Sequence, residues 1–76
     1  MNTDEFLANV KDAVEIEDRE ISLDDDFRSY EEWSSLAFLS LIAMIDDKYD
    51  VILDGNRFKA LHTLRDVLEA IKAEQS

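Results

Sequence analysis

Apolar residues recur at helical spacing in three stretches of this chain, and a shorter apolar group lies between the last two. Phe6, Leu7, Val10 and Val14 share one face of a first helix, expected from about Asp4 to Glu17. Thr3 is its expected N-cap, and the acids that follow suit the positive end of a helix. Phe38, Leu41, Ile42, Ile45 and Tyr49 fall at i, i+3, i+4, i+7 and i+11, the core stripe of a second helix from Ser35 to about Asp50. Leu36, Leu39 and Ala43 add a second apolar strip at i, i+3 and i+7. Coverage this wide marks a helix central to the fold, or one with an apolar face reserved for a partner. Asp54 and Gly55 break the pattern, and a short helical turn is expected over Asn56 to Ala60 with Phe58 and Leu61 inward. Leu64, Val67, Leu68 and Ile71 form the stripe of a last helix, with Thr63 as cap and Asp66 three residues on as a variant capping box.

Between the first two helices lies a long connection, Asp18 to Ser34. Its triplet Asp24-Asp25-Asp26 argues against a helix crossing it, while Ile21, Leu23, Phe27, Tyr30 and Trp33 are spaced to pin it to the bundle. Loops this long in compact domains are often functional. The expected fold is therefore all-α: a four-helix bundle of three main helices and one short one, with the long loop after the first, over a single domain spanning 1–76. The absence of Pro and the single Gly agree, since strand-rich domains need turn residues.

Composition narrows the function classes. A chain of 76 residues buries only about 60% of its unfolded surface, so its core is thin and leaves little room for an enclosed active site. Nineteen acidic against eight basic residues give a net charge of −11, which repels nucleic acids and anionic membranes and favours partners with basic patches. With no Cys there is no thiol nucleophile, disulfide or thiolate metal site. The opening MNTDEF lacks the basic and apolar regions of a signal peptide. The longest apolar run, Leu36 to Ile45, is too short to span a bilayer, so no stable membrane insertion and a cytoplasmic location are expected.

The candidate chemistry is sparse. Ser34 and Ser35 stand at the mouth of the second helix; one can cap it while the other stays free, at a helix end suited to an anion. Glu31 and Glu32 oppose an anion slightly. The only histidine, His62, is not placed beside them by local sequence, so a Ser–His–acid triad is poorly supported. His62 alone is also a poor metal ligand. Neither Asp24 nor Asp50 starts a calcium loop, because the required Gly and Glu positions are not met together. Trp33, two residues before Ser35, is placed to anchor the loop or line the approach to that serine.

From Ser34 onward the chain resembles the acyl carrier proteins. Ser34-Ser35-Leu36 stands where that family has Asp-Ser-Leu, followed by Leu39, Leu41, Ile42 and Ile45 and then Asp46-Asp47-Lys48-Tyr49. A first helix, a long loop with an embedded Phe27, a short third helix and a fourth helix keep the family's order. The resemblance implies a carrier, not an enzyme. It implies that a phosphopantetheinyl transferase attaches 4'-phosphopantetheine from coenzyme A to Ser35, and that the arm's thiol then holds an acyl or aminoacyl group as a thioester. Leu36, Leu39, Ala43, Asp46 and Asp47 would form the face that docks acyl-loading and acyl-processing enzymes bearing basic patches. The expected state is a monomer serving fatty acid, polyketide or related specialised synthesis. Three departures stand out: Ser34 replaces the family's Asp, Ala37 and Ser40 replace frequent acids, and Phe58 replaces a commonly smaller residue and would fill part of an acyl-sheltering cavity. The alternative is an acidic helical interaction module without a prosthetic group, in which both serines are structural.

Overall fold

The computed structural model describes residues 2–75 and contains four α-helices: α1 (Thr3–Val14), α2 (Ser35–Tyr49), α3 (Gly55–Lys59) and α4 (Leu64–Gln75). A single 3₁₀ turn, Phe27–Ser29, interrupts the long loop. The described residues contain no strand, only one isolated bridge between Asp26 and Thr63. The all-α expectation holds. No helix is long and apolar enough to cross a membrane among the described residues.

α1 differs from expectation at both ends. Asn2, not Thr3, is the cap: its side chain accepts the Glu5 N–H at 3.2 Å, and Thr3 is already helical. The helix stops at Val14 instead of Glu17, because Glu15 takes the left-handed conformation (φ 63°). The Glu15 N–H then bonds the Asp12 carbonyl and the Ile16 N–H bonds the Lys11 carbonyl, the pairing of a Schellman close. That turn drives Ile16 into the core.

α1 and α2 pack directly on each other. Phe6, Val10 and Val14 meet a core completed by Leu41, Ile45, Leu64, Val67, Leu68 and Ile71. Leu7 lies only half-buried at its edge, as do Phe38, Ile42 and Tyr49 of the second stripe. Ala37 is buried, on the inward face of α2. The connection after α2 contributes as well: Asp50 reverses the chain in the left-handed conformation (φ 56°), and Val51 and Leu53 turn inward while Ile52 points out.

The long loop is tied to α4 as well as packed on the core. The Leu64 N–H bonds the Asp25 carbonyl at 3.2 Å and the Arg65 N–H bonds the Leu23 carbonyl at 2.8 Å. Two donors that a helix start leaves unpaired are thereby satisfied. The capping box forms as expected: the Asp66 N–H bonds Thr63 Oγ1 at 3.2 Å, and the Thr63 and His62 N–H groups bond Asp66 Oδ2. Those backbone bonds, Thr63's first and then His62's, hold the Asp66 carboxyl below its ordinary range. Arg65 pairs with Asp24 at 3.0 Å, so the acidic triplet is partly neutralised by the helix it docks on.

Candidate functional site at the start of the second helix

The two serines divide the work at the mouth of α2. Ser34 is extended (φ −160°, ψ 175°), and its Oγ accepts the Ala37 N–H at 3.1 Å. Its carbonyl accepts the Phe38 N–H at 2.9 Å, the first bond of the helix. Ser35 is the first helical residue and is exposed. Its hydroxyl makes no hydrogen bond among the described residues. The N–H groups of Ser35 and Leu36 likewise find no acceptor there, as the first turn of a helix dictates.

A groove of about 390 Å³ opens beside Ser35, lined by Arg28, Trp33, Ser34, Ser35, Phe38, Phe58 and Lys59. Its floor is aromatic. Phe27 and Phe58 are each 1% exposed, and their rings meet edge to face at 5.3 Å. Trp33 packs against Phe27 at 5.1 Å, and Phe38 against Phe58 at 5.3 Å. Trp33 therefore both anchors the loop and lines the approach to Ser35.

Two of the chain's eight basic residues border this groove. Arg28 stands over the Phe27 ring at 5.0 Å and donates to the carbonyls of Leu61 (2.6 Å), Phe58 (3.0 Å) and Lys59 (3.2 Å). It closes the C-terminal end of α3 and holds that helix against the loop. Lys59 is exposed at the rim and makes no ion pair among the described residues. Neither was legible as a site residue. Only their sparseness in an acidic chain could have drawn attention to them.

Of the two acids upstream, Glu32 is neutralised. Arg19 grips it with two bonds, Nη1 to Oε2 at 2.9 Å and Nη2 to Oε1 at 2.8 Å, and lies over the Tyr30 ring at 5.4 Å. The Arg19 bond holds the Glu32 carboxyl at about 2, below an ordinary 4.5, and raises the Arg19 guanidinium above its own range. Tyr30 donates to Asp25 at 2.8 Å; burial first, and that bond second, push its hydroxyl above the usual phenol range. Because the folded value of Glu32 is depressed, its pair stabilises the fold above the unfolded value and fades as pH falls towards about 2. In Glu32→Gln, the loss of thermal midpoint relative to wild type should be largest at neutral pH and shrink steadily below pH 4.5. A deficit independent of pH would mean that the pair's charge contributes nothing.

His62 is exposed and does not line the groove. No base stands beside Ser35 there, and no cluster able to hold a metal ion occurs among the described residues. The expected docking strip is exposed: Leu36 is 73% and Leu39 60% accessible, and Ala43, Asp46 and Asp47 also face solvent. The loop's Tyr30 and Trp33 do not cover the strip, because they pack on Arg19 and on the aromatic floor. Ile52, 75% exposed, is a further apolar surface residue that the helical pattern did not single out.

A free hydroxyl, unpaired N–H groups and two cations bordering the same groove suit a phosphodiester. The family described as the phosphopantetheine attachment site matches residues 4–71. The chain belongs to that family: it is a carrier domain to which 4'-phosphopantetheine is covalently attached, and not a catalyst. No curated protein and no solved structure gives a significant match.

Proposed function

We propose that Ser35 bears the 4'-phosphopantetheine arm, and that the chain carries acyl or aminoacyl groups for fatty acid, polyketide or a related specialised synthesis. The division of labour between the serines carries this reading. Ser34 is consumed by capping, whereas Ser35 presents an unbonded hydroxyl at the groove. Around Ser35, the Ser35 and Leu36 N–H groups, the Arg28 edge and Lys59 would face the phosphodiester, with the neighbouring Glu32 charge cancelled by Arg19. The arm, once attached, supplies the thiol that this chain lacks. Intact mass after incubation with coenzyme A and a promiscuous phosphopantetheinyl transferase tests the assignment. A gain of one phosphopantetheinyl group is expected, and no gain with several transferases would return the protein to the interaction-module reading.

We also assign the docking of that transferase, and of acyl-loading and acyl-processing enzymes with basic patches, to Leu36, Leu39, Ala43, Asp46 and Asp47. An apolar strip at the attachment end with acids towards the far end suits contact at one end and steering at the other. Leu36→Ala and Leu39→Ala should change stability by less than about 0.5 kcal/mol, because both side chains already face water. The same changes should lower the transferase kcat/KM about tenfold, as loss of an apolar anchor does at interfaces. Wild-type kcat/KM in both variants would remove this face from the docking surface.

A further inference from the structure

The groove beside Ser35 ends on packed aromatic rings. The groove at Ser35 is bounded by the loop, the first turns of α2 and the end of α3. Any apolar group hung near Ser35 that sought the core through this groove would meet the rings of Trp33, Phe38 and Phe58, with Phe27 packed behind them. Phe58 occupies the centre: it is 1% exposed, meets Phe27 and Phe38 edge to face, each at 5.3 Å, and lies nearly parallel to Trp33 (9°) at 6.5 Å. Aromatic pairs at these distances attract beyond their burial alone. Nor can α3 swing aside cheaply. Arg28 spans from the loop to the Phe58 and Lys59 carbonyls at its end and to the Leu61 carbonyl just beyond, and the buried Phe58 ring anchors the same helix in the core.

We propose, resting on the carrier reading above, that this protein carries compact groups, short acyl or aminoacyl units, and keeps them outside the bundle. A long alkyl chain is not drawn into the core. Each methylene moved from water into an apolar interior is worth about fourfold in partition, so a chain that entered would be strongly shielded. The aromatic plug removes that gain, and selection among cargoes by length is then left to the partner enzymes.

The test loads the full chain with acetyl-, hexanoyl- and dodecanoyl-coenzyme A through a promiscuous transferase, with intact mass confirming each product. Cleavage of each thioester by hydroxylamine is then timed against the matching free pantetheine thioester. The expected result is one rate ratio, constant within about twofold across the three lengths, with no rise in thermal midpoint for the dodecanoyl form. Slowing of the dodecanoyl form by about tenfold or more, or a raised midpoint, overturns the proposal while leaving the carrier reading intact; failure to load overturns both. Phe58→Leu and Phe38→Ala, two openings of the plug with different structural cost, should each introduce length-dependent slowing. If neither does, the rings are not the barrier and the assignment fails.

Discussion

Ser35→Ala should abolish the phosphopantetheinyl mass gain and leave the thermal midpoint unchanged, whereas Ser34→Ala should do the reverse. The two serines are chemically identical neighbours, so only their surroundings can separate them. Ser35 is exposed and its hydroxyl unbonded, and alanine is the better helix former, so truncation costs the fold nothing. Ser34 accepts the Ala37 N–H, and losing an N-cap side chain typically costs about 1 kcal/mol. In a domain of this size that corresponds to a midpoint about 4–8 °C lower. Modification of Ser34→Ala should continue, because the first turn of α2 is held in addition by the Phe38 N–H on the Ser34 carbonyl and by the packing of Ala37 and Leu41. Intact mass and thermal melting of the two variants side by side decide the matter. Mass gain surviving in Ser35→Ala but not in Ser34→Ala would move the attachment to Ser34.

Much of this division could be read from the chain. A serine pair immediately before an apolar stripe predicts both a cap and a spare hydroxyl, and α2 begins at Ser35 as expected. The Thr63–Asp66 box was legible for the same reason: both partners lie three residues apart and answer to local geometry. Local rules failed where an ordinary residue does a glycine's work. Glu15 closes α1 in the left-handed conformation, and nothing in its side chain announces it, whereas Asp50, about where α2 was expected to end, is of a residue type that adopts that conformation more readily. α1 consequently ends three residues earlier than its polar tail suggested, and Ile16 and Val51 enter the core from positions that helical spacing had not marked.

The groove was harder to read because its parts are distant in sequence. Arg28 reaches the end of α3, some thirty residues on, and Arg19 reaches Glu32 across the whole loop. Each contact depends on the loop's path, which is set by bonds to the start of α4. The loop's apolar residues foretold that it would be pinned. They could not say that the pinning would bring two cations to the groove that an unbonded serine at a helix mouth also lines. Tertiary position converts Arg28 from one charge among eight into the clasp between loop and α3.

That clasp has its keystone one residue earlier, and Phe27→Ala should be the most damaging single change in the loop. The Phe27 ring is 1% exposed, touches Trp33 and Phe58 at 5.1 and 5.3 Å, and lies beneath the Arg28 guanidinium. Emptying such a site costs about 3–5 kcal/mol, lost transfer energy plus an unfilled cavity. A chain of 76 residues has a total stability of only about 4–11 kcal/mol. The variant should therefore lose from roughly a quarter to all of its stability, with its urea midpoint moved well towards zero. Tyr30→Phe provides the contrast, since it removes only the hydroxyl bond to Asp25 and should cost about 1 kcal/mol. Trp33 is the only tryptophan and stands in the same cluster, so its fluorescence reports the damage at the site itself. A red-shifted emission in Phe27→Ala, largely reversed in Phe27→Leu, would place the loop's stability in this ring. A wild-type urea midpoint in Phe27→Ala would mean that the loop is held by its backbone bonds to α4 and that the aromatic floor is not its anchor.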